Sequence, residues 1–364
     1  MSSVQIAFVL PSIKISGGQR EALRIADDVQ GPSVSSRLVT MWLTDSPMPT
    51  GLPISPLSSW MTRIQWAALQ VPALCLRFHR LVAHLRGDPR PVRVWVFTHY
   101  ATLILAPFVP RSQRWFFVQG VEWLFVRNPL LSRMLRLFIS TVYQSGRVIA
   151  ANPYLTNVLI ENDIPVAAEK FIWADAAFFT PSRSAKDIDL VMVLRKGKAK
   201  RLDLYAEFLA QVRQRAGRRI AFITPDDEVV LHFKDQADHH LLRPTLEQMR
   251  ALYARSAFFL MLSEHEGFGL PPLESMGSGC IPICRDSGGV HAYMTGRLER
   301  HVLPIDWPVD RLVEHFERSA ADAAALEADQ AEARRIFGEG LQRATVSSTQ
   351  VAHLLAQHAC ASLT

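Results

Sequence analysis

Two glutamates eight positions apart, Glu266 and Glu274, flank the run Gly267-Phe268-Gly269-Leu270-Pro271-Pro272. Carboxylates accept hydrogen bonds from hydroxyl groups, and the glycines between these two let the backbone approach a ligand closely. The apolar run Ala257-Phe258-Phe259-Leu260-Met261-Leu262 comes just before and reads as a buried parallel strand over 258–262. Pro272 to Met276 reads as the first turns of a helix, where proline is tolerated. Strand, glycine turn and helix in that order aim free backbone N–H groups at an anion. The ligand this implies has a phosphate at one end and sugar hydroxyls beside it. A lone pair of glutamates at this spacing would read as a solvated helix face. Here the glycines, prolines and flanking strand agree with one another.

A second group lies 66 residues upstream of Glu266, where a strand at 190–194 runs into Arg195-Lys196-Gly197-Lys198-Ala199-Lys200-Arg201. Five of those seven residues are basic, and three of the chain's seven lysines fall here. A basic loop after a parallel strand suits a diphosphate, with lysine as a compact point charge. The competing reading is a solvated basic turn. A third group, Ile15-Ser16-Gly17-Gly18-Gln19-Arg20-Glu21, follows the first strand and opens a helix, and its paired glycines again permit close approach. Two further loops follow strands at 92–97 and 114–118: one holds His99, the other Gln119-Gly120-Val121-Glu122. A structural and a functional histidine are both compatible with the position of His99.

The run from Glu264 to Glu274, continued by Gly279-Cys280-Ile281-Pro282-Ile283 and Asp286-Ser287-Gly288-Gly289, resembles the E-x7-E signature of retaining, GT-B-fold glycosyltransferases of the family 4 type. The likeness covers residues 241–294 and 195–201 and is weaker across the first half. It implies that Glu266 contacts the donor sugar and Glu274 the nucleotide ribose, with the backbone of Gly267, Phe268, Gly269 and Leu270 near the diphosphate. It also implies that an arginine and a lysine five positions apart bind that diphosphate, a spacing met by Arg195 and Lys200. Leu194 and Arg201 stand where the family has glycines, so Lys196, Lys198 and Lys200 all remain candidates. Gly17 and Gly18 match a glycine pair near the donor phosphates and the acceptor. His99 joins Glu266, Arg195 and Lys200 as a catalytic candidate. Gln119 and Glu122 lie in a run similar to a subset acting on bacterial surface polysaccharides, including rhamnosyl transfer, and are the acceptor-side candidates. Asp187-Ile188-Asp189 spells the D-x-D of metal-dependent GT-A enzymes, but it precedes a strand instead of following one and reads as solvated acids. No metal and no cofactor are expected.

The implied activity is retaining, metal-independent transfer of a hexose, rhamnosyl or mannosyl among them, from a nucleotide-diphosphate sugar to a glycan or lipid-linked acceptor. Retention without an evident nucleophile fits front-face transfer, in which the diphosphate oxygen receives the acceptor's proton. The rivals are a phosphorylase or sugar-nucleotide epimerase on a similar fold and a non-catalytic polysaccharide-assembly subunit. The intact glutamate pair argues against the last, while the altered 195–201 loop keeps it open.

Positioning these groups requires alternating strands and helices. Apolar runs at 4–10, 38–43, 92–97, 114–118, 148–151, 190–194, 220–223, 258–262 and 281–284 alternate with helical patterns such as 19–29 and 131–143. That alternation argues for an α/β chain with parallel sheets and crossover helices, two doubly wound Rossmann-like domains that hold ligands at the carboxyl ends of their strands. The length of 364 residues accommodates two domains. The expected division is an acceptor domain at 1–170, a linker at 171–187, a nucleotide-sugar domain at 188–340, and a helix at 341–364 crossing back to the first. With 49% hydrophobic and 20% charged residues the chain is neither disordered nor fibrous.

The start is too short and lacks the basic lead-in of a signal peptide. The apolar run 94–110 contains His99 and two prolines and falls short of a spanning helix. Cys75, Cys280, Cys284 and Cys360 follow no metal or disulfide pattern, which points to a reducing compartment, a bacterial cytoplasm. The net charge of +6 conceals an asymmetry: residues 51–150 carry 12 arginines, no lysine, and only Asp88 and Glu122 as acids. Within them, 60–86 mixes tryptophan, leucine and valine with arginine at roughly helical spacing. This suits either peripheral docking on the anionic inner leaflet or a helix with its apolar face in the core. No nucleic-acid motif accompanies the charge, so a nucleic-acid partner is not expected.

Overall fold

The computed structural model describes residues 4–12, 17–42, 50–57, 71–126, 128–179, 185–215 and 217–361. Two compact units result: residues 1–172 with 344–364, and residues 173–343.

The first unit is built on seven strands, β1 Val4–Leu10, β2 Val34–Thr40, β3 Ile54–Pro56, β4 Val92–Phe97, β5 Arg114–Val118, β6 Arg147–Ala150 and β7 Val166–Glu169. They lie in the order β3-β2-β1-β4-β5-β6-β7, every described pairing parallel. Helices α1 Gly17–Asp28, α2 Val71–Arg86, α3 Pro129–Tyr143 and α4 Pro153–Ile160 connect them. All seven residues of β1 are buried, and six are apolar, as a central parallel strand requires; the seventh, Gln5, accepts from Arg37 Nε at 3.0 Å. The expected strand at 38–43 instead begins at Val34: Ser36 sits in the ladder because its hydroxyl donates to Ala26 O at 2.6 Å, which removes the cost of burying it. The run at 94–110 divides into β4 and a 3-10 segment, Tyr100–Phe108.

The second unit has six strands, β8 Ile188–Val193, β9 Ile220–Thr224, β10 His239–Leu242, β11 Ser256–Met261, β12 Ile281–Arg285 and β13 Val302–Leu303. Their order is β10-β9-β8-β11-β12-β13, again parallel in every described pair. The helices are α5 Leu202–Arg215, α6 Asp227–Phe233, α7 Leu246–Arg255, α8 Leu270–Met276, α9 Val309–Ala321 and α10 Ala323–Ala361. The helix expected near the end of the chain is the last part of the 39-residue α10. Its turns from Ala344 onward belong to the first unit, where Ser347 Oγ accepts from Phe171 N at 3.0 Å.

Both sheets reverse their winding direction once, between β1 and β4 in the first unit and between β8 and β11 in the second. At such a point the loops leaving the two neighbouring strands turn away from each other and open a crevice at the carboxyl edge.

Candidate functional site

The loops leaving β8 and β11 meet at the second switch point. β8 is followed by Leu194, which is fully buried and donates its N–H to Ile223 O at 2.9 Å. Its side chain belongs to the core. Gly197 follows at φ 136°, then a 3-10 turn over Lys198–Lys200, and Arg201 closes the loop at φ 52°. The left-handed backbone at 201 is one that glycine adopts without strain. Here the guanidinium of Arg201 is held by Asp203 at 2.7 Å, which offsets part of the strain.

The lysines diverge. Lys196 points to Glu228, 2.6 Å away, and its N–H donates to Asp226 at 3.1 Å. Lys198 is exposed. Lys200 turns inward, with Nζ 2.6 Å from Glu266 Oε1. The loop backbones are tied as well, because Glu264 N donates to Ala199 O at 2.8 Å.

Glu266 itself is held from the far side. Its N–H donates to Ser287 O at 3.1 Å and its carbonyl accepts from Gly289 N at 3.3 Å, a bridge joining the β11 and β12 loops. Phe268 is buried, with its ring 5.5 Å from Tyr293 in edge-on contact. Gly269, at φ 81°, presents its carbonyl to the Tyr293 hydroxyl at 2.8 Å. Helix α8 then begins at Leu270 with prolines in its first turn and carries Glu274, half-buried. Glu274 and Arg195 both lie within electrostatic reach of Tyr253. Burial pushes the Tyr253 phenol up, Glu274 adds to the effect and Arg195 opposes it. Its hydroxyl has no hydrogen-bond partner among the described residues.

In the first unit the loops after β4 and β5 meet beside the end of β1, at the other switch point. Gly17 and Gly18 form the start of α1, while Ile15 and Ser16 of the same motif lie outside the described residues. Thr98 Oγ1 donates to Val9 O at 3.1 Å, and Gln119 Nε2 donates to Thr98 O at 3.1 Å. His99 caps the 3-10 segment, its Nδ1 accepting from Ala101 N at 3.1 Å. Burial lowers its pKa, so the ring is neutral and keeps its other nitrogen for donation. Glu122 is half-buried, but its Oε2 lies out of reach of solvent and of any hydrogen-bond donor among the described residues. Burial pushes its pKa up to about 7, so near neutral pH it exchanges a proton readily.

Several residues with no local signal complete these sites. Tyr205 of α5 accepts from Leu262 N at 2.8 Å and braces the end of β11. Arg285 is only 5% exposed, and its Nε and Nη1 are without partners among the described residues. Lys170, fully buried, lies 3.6 Å from Glu21, the last residue of the glycine motif. Only spatial proximity reveals these contacts. Asp187 and Asp189 are each occupied by arginines, Arg255 at 2.6 Å and Arg218 at 3.2 Å.

Two Rossmann-like parallel-sheet units, the second carrying a basic loop and a glutamate turn at its switch point, define the GT-B fold. A solved glycosyltransferase from Rickettsia africae ESF-5 superposes with a TM-score of 0.71 over 98% of this chain and 99% of that one, at 12% identity. Residues 176–334 match the family described as "Glycosyl transferases group 1". A putative glycosyltransferase of a Sulfolobus islandicus filamentous virus is 38% identical over 85 residues, 23% of this chain, so the chain spans 24% of that relative's length. The GDP-mannose:cellobiosyl-diphosphopolyprenol alpha-mannosyltransferase of Xanthomonas oryzae pv. oryzae is 49% identical over 45 residues, 12% of each chain.

Proposed function

We propose that this chain transfers a sugar, with retention and without a metal, from a nucleotide-diphosphate donor to a glycan or lipid-linked acceptor of bacterial surface-polysaccharide synthesis. The observation that carries the reading is the ion pair of Lys200 with Glu266 at the β8/β11 switch point. One side of the site offers cations suited to a departing diphosphate, the other a carboxylate suited to sugar hydroxyls. A donor diphosphate competes with Glu266 for Lys200. Binding therefore frees the carboxylate for hydroxyls at the moment the lysine meets phosphate. Arg195 and Lys200 stabilise the charge that develops as the sugar–phosphate bond breaks, in a site where water is partly excluded. Glu274 takes the nucleotide ribose, and the loop 267–270 lies along the phosphates.

On the acceptor side, His99, Gln119 and Glu122 orient the incoming hydroxyl. The mannosyltransferase relative supports this choice of donor and acceptor class, because its name describes mannosyl transfer from GDP-mannose to a cellobiosyl-diphosphopolyprenol.

The test is a thermal-shift screen against UDP-, GDP-, dTDP- and ADP-sugars, followed by transfer assays with the best donor and determination of the product anomer by NMR. Glu266→Gln should fold and bind nucleoside diphosphate, yet lose roughly 30- to 1000-fold in turnover, the effect of ~2–4 kcal/mol of transition-state contact. A variant with near wild-type turnover would remove Glu266 from the site, and an inverted product would overturn the retaining assignment.

A further inference from the structure

Helix α3 stands out among the described residues because it is apolar on both sides. Leu130, Leu131, Met134, Leu137 and Phe138 are 68, 55, 61, 70 and 49% exposed. At about 100° per residue these five, with Thr141, fill an arc ~120° wide on the outer side of the helix. Ile139 and Tyr143 occupy the inner side and are buried in the domain. A single exposed leucine needs no explanation, but a contiguous apolar patch marks an interaction surface. The other exposed large apolar residues, such as Leu76, Ile160 and Leu231, lie singly on other elements.

The helix is firmly built. Asn128 caps it by accepting from Leu130 N and Leu131 N, and Ser132 Oγ donates to Trp123 O at 2.6 Å. Arg133 lies about 40° beyond one edge of the outer arc and Arg136 about 100° beyond it, on the same flank of the helix; both are exposed, and the helix carries no acid. By contrast, the apolar positions of α2, Leu74, Phe78, Val82 and Leu85, are buried, so the described part of the 60–86 segment spends its apolar face on the core. Residues 60–70 lie outside the described residues.

We propose that α3 is a membrane-docking helix that lays its Leu130, Met134, Leu137 and Phe138 face into the interfacial layer of an anionic lipid surface, with Arg133 and Arg136 on the headgroup phosphates. The charge selects this occupant. Two copies paired about a two-fold axis through α3 would confront arginines with arginines, with no acid on the helix to compensate. An anionic leaflet instead supplies the counter-charge and an apolar layer at the right depth. Among the described residues no helix is long and apolar enough to cross a membrane, so attachment by α3 is peripheral. The proposal stands on this surface alone and needs no transfer activity.

The experiment is flotation of the full chain with phosphatidylglycerol/phosphatidylethanolamine vesicles and with phosphatidylcholine vesicles. Wild type should float with the anionic vesicles and be released by high salt. Leu137→Asp/Phe138→Asp should lower the bound fraction at least about tenfold, and Arg133→Gln/Arg136→Gln about tenfold on anionic vesicles only. Leu231→Asp, equally exposed on α6, should change nothing. Unchanged thermal unfolding in all variants excludes misfolding as the cause. Failure of wild type to bind, or equal binding by the aspartate variant, overturns the proposal. So does a dimer in sedimentation velocity that the aspartate variant disperses while no vesicles are bound, because it assigns the face to a second copy.

Discussion

Lys200 Nζ lies 2.6 Å from Glu266 Oε1, joining two loops whose residues are 66 positions apart in the chain. The pairing follows from strand order: β8 is the first strand of its sheet and β11 the fourth, yet the winding reversal makes them neighbours, with Leu190 opposite Phe258. Every donor-side expectation turns on this contact, and the first prediction tests it. Lys200→Met and Arg195→Ala should each weaken nucleoside diphosphate binding about 10- to 100-fold and leave nucleoside binding within about twofold, because the charge they match is on the phosphates. Calorimetric titration with both ligands checks this. Equal losses for the two would indicate general damage to the unit.

Gly289 governs the shape of the same turn. A Cβ there would sit 2.6 Å from the carbonyl carbon and oxygen of Gly267 and from Phe268 N, all backbone atoms that cannot swing aside. Gly289→Ala should therefore cost about 1–3 kcal/mol of stability and displace the 267–270 loop, lowering turnover more than nucleoside binding. Gly217→Ala, with nothing within 4 Å of its added carbon, is the control and should be neutral.

Glu122 should show opposite effects on stability and activity. Its pKa of about 7 in the folded chain exceeds the ordinary 4.5, mainly through burial, so between those values the folded state binds more protons than the unfolded. Stability contributed by this group is present at low pH and is lost as pH rises from about 4.5 to 7. Glu122→Gln should thus raise stability at pH 8, by about 1–2 kcal/mol, while reducing transfer. Denaturant titrations across pH, beside transfer assays, check both. Full activity in that variant would exclude an acceptor role.

The second unit contains an acid-sensitive cluster away from its switch point. His301 Nδ1 lies 3.0 Å from His315 Nε2, and His301 Nε2 lies 3.1 Å from the buried Asp329. Burial lowers both histidines, His315 to about 4 with help from His301 and nearby arginines, while Asp329 pulls His301 partly back. The unfolded chain therefore binds more protons below the ordinary value of 6.5, and stability should fall as pH drops from 6.5 to about 4. His315→Gln should flatten that decline by about 2 kcal/mol, measured by urea unfolding at pH 7 and pH 4.5.

Divalent metal should be dispensable. If Lys200 and Arg195 supply the positive charge at the diphosphate, transfer persists in excess chelator. Loss of activity restored by magnesium or manganese would overturn the metal-independent reading and direct attention back to Asp187 and Asp189.

Local chemistry was legible where one segment carries all of it. β1, β4 and β5 follow their apolar runs residue for residue, because strands buried at nearly every position carry a single polar residue each, too few to blur the run. The edge strands β3, β10 and β13 left no such trace. His239-His240 in β10 and Pro56 in β3 are residues that a partly solvated edge readily tolerates. The glutamate turn and the basic loop were each readable as phosphate and hydroxyl chemistry from residue type and spacing alone. Their juxtaposition was not, because adjacency of β8 and β11 depends on how the whole sheet winds. The choice among Lys196, Lys198 and Lys200 as the partner of Glu266 was likewise made by the left-handed turn at Arg201 and the pull of Glu228 on Lys196.

The exposed face of α3 is the plainest case of a tertiary decision. Residues 60–86 and 131–143 both carry helical patterns in the sequence, and periodicity records only that apolar faces exist. Which face is buried depends on what the rest of the domain brings against it. The domain covers Phe78 and Val82 on α2 and leaves Leu137 and Phe138 on α3 in solvent.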